Sequence, residues 1–136
     1  MRVFLDANVI FSASAPESGI GRLLQLARPR CTLLTSDFAA EEARRNVELK
    51  RPDWAAGCAS LLEQLTMVPS ILFPLTVELD EKDRPILCAA IRSKCDFLVT
   101  GDRKHFGHWY DQEVDGVAIV SVLGFAQRIA ASDLTS

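Results

Sequence analysis

Asp6, Glu42, Asp83 and Asp102 are the residues of this 136-residue chain whose types and positions most suggest chemistry. Asp6 lies in the apolar run RVFLDANVIF (2–11), where a buried strand should finish. A strand has no need of an acid there, and carboxylates are rarely buried unless they are paired or hold a metal. Asp6 is therefore read as one corner of a metal site, and the ordinary alternative is a cap or turn aspartate. Asp102 follows the apolar stretch DFLVT, in a Gly-Asp pair that also suits a turn. Gathered in one place, four such acids would repel one another unless cations or raised pKa values relieved them. Oxygen donors without His or Cys select Mg²⁺ or Mn²⁺ rather than zinc.

Helical periodicity chooses between the adjacent Glu41 and Glu42. With steps of about 100° from Phe38, the residues Leu49, Ala39, Ala43, Val47 and Ala40 share one arc, and Glu42, at roughly 40°, lies within it. Asn46, one turn later, is placed to hydrogen-bond the Glu42 carboxylate. Glu41 falls with the solvated residues. On a later helix Asp83 lies between Ala90 and Leu87 on the apolar side, and Asp80 is a candidate supporting acid. Capping is the competing explanation for both.

The elements that must position these acids alternate. A first strand is followed by a loop over 16–21, a helix carrying Leu23, Leu24, Leu26 and Ala27, and a short strand over 31–35. A helix capped by Ser36 or Asp37 should run to about Lys50, and another from Asp53 to about Met67. The stretch 68–75, broken by Pro69 and Pro74, suits a short strand near a sheet edge. Helix resumes from Glu81, with Pro85 tolerated near the first turn. A strand over 96–100, a loop over 101–116, a strand over 117–120 and a helix from Ser121 to about Ala131 complete the chain. This order predicts an α/β fold, a three-layer α/β/α sandwich with a mainly parallel central sheet, as one domain over 1–136. Ligands of such sheets collect beyond the carboxyl ends of the strands, where the strand order reverses. If the strands before Asp6 and Asp102 are neighbours, the two acids meet.

Composition agrees with a folded soluble chain: 49% of residues are hydrophobic and 24% charged, with no apolar run long enough to span a bilayer. Cys31, Cys58, Cys88 and Cys95 form no CxxC pair and read as small core residues of a reducing, cytoplasmic compartment. Arg2, the apolar stretch after it and Ala13-Ser14-Ala15 imitate a signal peptide, but Asp6 and Asn8 interrupt it. The net charge of −3 would disfavour a nucleic-acid partner. Setting four clustered acids aside leaves the remainder at +1, with Arg44, Arg45, Lys50 and Arg51 gathered together.

These residues resemble the motifs of the PIN domain, the nuclease fold of VapC-type toxins and of RNA-processing enzymes. LDANVIFSA resembles its opening strand, with Asp6 as the first acid and Asn8 as companion; SDFAAEEARRNV its second motif, with Glu42 as the acid; DEKDRPILCAA its third, with Asp83; and LVTGDRKHF its fourth, with Thr100 and Asp102. The resemblance implies an endoribonuclease that hydrolyses RNA phosphodiesters with Mg²⁺ or Mn²⁺ held by the four acids. Asn8, Asn46, Asp80 and Thr100 would support them, and Arg103, Lys104 and His105 would contact phosphate. It also implies an antitoxin partner and a homodimer, for which Trp54 or Trp109 could serve as anchors.

Two other readings compete. A haloacid-dehalogenase-like phosphatase needs a second aspartate as general acid where this chain has Asn8. A PIN-like module without turnover would bind RNA or protein only.

Overall fold

The computed structural model describes residues 1–135, with side chains described to residue 132. The first strand, β1 (Arg2–Leu5), has Val3, Phe4 and Leu5 fully buried. An unbroken apolar run of this kind suits a strand covered on both faces. It is flanked on one side by β2 (Thr32–Ser36) and on the other by β4 (Phe97–Val99), both parallel to it. The sheet order is β3-β2-β1-β4-β6-β5, with β3 over Thr66–Val68, β5 over Gln112–Val114 and β6 over Val117–Val120. All neighbours are parallel except β5 and β6.

Among the described residues, seven α-helices flank the sheet: α1 (Ala7–Ala13), α2 (Gly19–Ala27), α3 (Asp37–Lys50), α4 (Ala55–Glu63), α5 (Arg84–Arg92), α6 (Arg103–Phe106) and α7 (Val122–Thr135). The first four pack on one another, whereas α5 lies against β2 and β4. Right-handed crossovers explain the layering: β1, β2 and β3 progress one way across the sheet, and the step from β3 to β4 returns on the other face. The result is the expected α/β/α arrangement of a mainly parallel sheet. Among the described residues, no helix is long and apolar enough to cross a membrane.

Several elements differ from the sequence reading, each for a local reason. A short helix, α1, begins directly after Asp6; the β-branched Val9 and Ile10 disguised it as more strand. The helix expected from Glu81 starts only at Arg84, because Pro85 is accepted in a first turn and not deeper. The strand expected over 68–75 is limited to Thr66–Val68, ending before Pro69. Within the supposed loop over 101–116 lie α6 and β5; Asp115 (φ +48°) and Gly116 (φ +89°) close a two-residue hairpin between β5 and β6. The apolar arc of α3 is also narrower than expected. Ala39, Ala40, Ala43 and Val47 are buried, but Phe38 is 39% and Leu49 75% exposed.

The core includes Phe4, Leu5, Ile10, Leu34, Leu87, Leu98, Phe106 and Phe125, all fully buried. Cys58, Cys88 and Cys95 are buried, Cys31 is half-buried, and all four are free thiols. Trp54 packs against Phe11 in a tilted arrangement, with ring centres 5.1 Å apart, and carries the Arg51 guanidinium 4.3 Å above its ring. Its position against Phe11 makes it part of the fold's own packing.

Candidate metal-binding cleft

The strand order reverses between β1 and β4, and both strands deliver an acid at that point. Asp6 follows β1; its N–H donates to the Val99 carbonyl of β4 (3.1 Å), so the ends of the two strands are locked together. Asp102 follows β4 after Thr100 and Gly101. Glu42 comes from α3 and Asp83 from the residue preceding α5. All four line one cleft of about 80 Å³ with Ala7, Asn8, Asn46 and Lys82.

Asp6 is buried and divides its two oxygens between two tasks. Oδ1 accepts the Ala7 N–H (2.7 Å) and caps α1. Oδ2 accepts the Thr100 hydroxyl (2.8 Å) and the Asn8 side-chain amide (3.2 Å). Burial pushes this carboxyl up to about 6, against the lowering effect of the Thr100 and Ala7 hydrogen bonds, and the charges of Glu42 and Asp83 raise it further. Asp6 thus caps α1 and lines the acidic cleft with the same side chain.

Thr100 and Asn8 hold the two strand ends in place. The Thr100 hydroxyl donates to Asp6 and accepts the Asp102 N–H (3.1 Å), while its carbonyl accepts the Tyr110 hydroxyl (2.9 Å). The Asn8 side-chain oxygen accepts the Gly101 N–H at 2.8 Å. A Cβ at position 101 would stand 3.3 Å from that oxygen, so glycine lets the chain pass closely.

Asp83 is 7% exposed and makes no capping bond to α5, so capping does not explain its burial. Burial raises its pKa; the nearby His105 opposes the rise and Asp102 adds to it. Asp102 does cap α6, accepting the His105 N–H at 3.1 Å, and its other oxygen stays within the cluster. Glu42 and Asn46 are half-buried at the cleft's edge, whereas Glu41 is exposed and 3.6 Å from Arg44. Periodicity thus separated the two glutamates correctly, although no hydrogen bond joins Asn46 to Glu42.

The phosphate-contact candidates divide. Arg103 and Lys104 are exposed beside the cleft, but the His105 ring turns inward with its side chain only 14% exposed. Its Nδ1 lies 2.9 Å from Asp83 and 3.0 Å from Asp102, and its Nε2 lies 3.1 Å from an Asp80 oxygen. Asp80 itself is largely exposed. Sequence reasoning missed this inward histidine, along with Tyr110 behind Thr100 and Lys82 at the cleft mouth. The i, i+3 spacing of Asp102 and His105 was a signal for the first; Tyr110 had none, because its role depends on the turn that follows α6.

Acids converging from four elements with one Lys or Arg among the lining residues, two of them, Asp6 and Asp83, raised in pKa, form a site chemically suited to divalent cations. A doubly wound sheet with such a cleft at its switch point defines an α/β protein whose site lies between the two halves of the sheet. The family model of the PIN domain matches residues 2–104, and the chain belongs to that family, whose members are generally nucleases.

Three solved structures share the fold. They are VapBC2 from Rickettsia felis bound to a DNA fragment from its promoter (17% identity, 89% of this chain and 98% of that one, TM-score 0.65), FitAB bound to an IR36 DNA fragment (18%, 88% and 94%, 0.60) and PAE2754 from Pyrobaculum aerophilum (18%, 96% and 99%, 0.56). No protein of curated function matches the sequence significantly.

Proposed function

We propose that this protein is an Mg²⁺- or Mn²⁺-dependent endoribonuclease, the toxin of a toxin–antitoxin pair, acting in the cytoplasm as a homodimer. The observation that carries the reading is the meeting of Asp6, Glu42, Asp83 and Asp102 in one cleft. These four would hold the ions; when bound, divalent cations acidify water and offset the charge that builds on a phosphodiester during hydrolysis. Thr100 and Asn8 fix the Asp6 carboxylate through its Oδ2, so its orientation is set before any ion arrives. Arg103 and Lys104, exposed beside the cleft, can draw the RNA backbone toward it. No side-chain nucleophile is required, which agrees with a cleft lined by acids, amides and one lysine.

The antitoxin part of the reading is supported by the complexes among the structural neighbours. A groove of about 640 Å³ beside Glu42, lined by Phe38 and Met67 with Asp37, Glu41, Arg44 and Arg45, offers apolar surface flanked by charges of both signs for such a partner.

Asp6→Asn keeps the shape and the capping oxygen but removes one charge from the cluster. Cleavage of single-stranded RNA in Mg²⁺ or Mn²⁺ should fall by about two orders of magnitude or more, with circular dichroism unchanged. Equal cleavage by the variant would remove the cleft from the reaction. Failure of the wild-type protein to cut RNA while hydrolysing small phosphomonoesters would favour a phosphatase.

A further inference from the structure

We propose that Lys82 is a substrate-binding residue of the acidic cleft: its ammonium grips a phosphate of the RNA backbone seated over the acids, a contact that carries no sequence information. The proposal rests on the nuclease reading of the cleft and names the residue that meets the substrate's charge there. Of the residues that line the cleft, Lys82 alone is cationic. It is exposed, so its ammonium stays in water at the mouth, and among the described residues it takes part in no ion pair. Its charge is therefore available to a ligand.

The backbone fixes where that charge stands. Lys82 lies in the turn that leads into α5, closed by the Asp83 and Arg84 N–H groups, which both donate to the Asp80 carbonyl (2.9 and 3.2 Å). The next residue, Asp83, is buried and lines the same cleft. Consecutive residues of one tight turn thus put a carboxylate at the floor and an ammonium at the rim.

A lysine in the wall of a cation site works against the ions, because like charges repel. The sign reverses when the ions carry an anion with them. A phosphodiester has two non-bridging oxygens, and an ammonium with three rotatable donors on a flexible stem can meet them without a fixed approach angle. The position is thus costly for a cleft that holds metal alone and suited to one that holds metal and phosphate together. Arg103 and Lys104 begin α6, after Asp102, whereas Lys82 precedes α5, so the backbone of a bound strand is met from two separate elements. The competing account is that Lys82 only offsets repulsion among the four acids of the ion-free chain.

The test uses the full chain at pH 8 and compares the wild type with Lys82→Ala and Lys82→Arg. Without RNA, calorimetric titration should show Mn²⁺ bound more tightly by Lys82→Ala, since a repelling charge is gone. With Mn²⁺ saturating, labelled single-stranded RNA is added and followed by stopped-flow anisotropy, which reads binding ahead of cleavage. Lys82→Ala should bind it about tenfold more weakly, equally so for different sequences, and the slope of log affinity against log salt should become shallower by about one. Lys82→Arg keeps the charge and should restore both. RNA affinity and salt slope unchanged in Lys82→Ala overturn the proposal, as does a loss that Lys82→Arg does not recover. Weaker Mn²⁺ binding by Lys82→Ala also overturns it, because the lysine would then be supporting the acids themselves. A wild-type protein that binds RNA through Lys82 in this way but cuts none defeats the nuclease reading alone. Cleavage at equal rate and affinity by wild type and Lys82→Ala defeats the role of Lys82 alone.

Discussion

At the scale of single residues, Asp6 shows how a cap and a ligand can be the same side chain. Oδ1 satisfies the start of α1 and Oδ2 is held toward the cluster, so the carboxylate is oriented by the fold and penalised by it together. The penalty has a measurable sign. The folded chain holds the Asp6 proton up to about pH 6, whereas an unfolded aspartate releases it near 3.8. Between those values the folded state binds more protons, so stability from this group is full below the lower value and is lost as pH rises through the upper one. The loss is on the order of 3 kcal/mol. Metal-free protein in chelator should therefore melt at higher temperature as the pH falls from 7 toward 5, and Asp6→Asn should flatten that part of the curve. An equal slope in wild type and variant would show that Asp6 is not the group responsible. Asp6, Glu42 and Asp83 were legible in the sequence because each interrupts an apolar pattern, and Asp102 because it follows directly on the end of one. His105 was not, since a histidine after Arg103 and Lys104 looks like part of a solvated basic run.

At the scale of elements, the sheet strands and long helices follow their apolar patterns closely, and the short pieces do not. β1, β4 and β6 were plain because a strand buried on both faces is apolar throughout, and α3 because Ser36 caps it and its small residues repeat at helical spacing. α1, α6 and β5 have seven, four and three residues, too few for any period to show. The Asp115-Gly116 pair was the available sign of β5, and it reads as a hairpin only once two strands are known to flank it. Helix packing makes one sharp prediction here. A Cβ at Gly57 on α4 would stand 2.3 Å from the Ser14 carbonyl at the end of α1, against backbone that no rotamer change can move. Gly57→Ala should therefore destabilise the protein by roughly 1–3 kcal/mol despite its better helix propensity. Thermal or urea unfolding would measure this, and a more stable variant would mean that α1 and α4 do not approach so closely. Because Asp6 caps α1, the same variant should also disturb the cleft.

At the scale of the whole molecule, the acidic cleft is a source of repulsion that a bound cation would relieve. Ions that bind the folded chain and not the unfolded one stabilise it by mass action, by about 2.7 kcal/mol at a hundred times the dissociation constant. Millimolar Mn²⁺ or Mg²⁺ should accordingly raise the melting temperature of the wild type, with a smaller rise in Asp6→Asn. The same rise in both would place the bound ions elsewhere.

The acids are divided evenly by the chain's own order: Asp6 and Glu42 belong to the segment that builds β1, β2 and β3, and Asp83 and Asp102 to the segment that builds β4, β5 and β6. Between them runs an irregular stretch, 69–82, outside any strand or helix. Each portion supplies two of the four acids of the cleft, so under the proposed function ion binding would be a property of their junction. Anything that parts β1 from β4, whether a protease cut in that stretch followed by separation or a wedge driven between the strand ends, would take the cleft apart without touching a single acid.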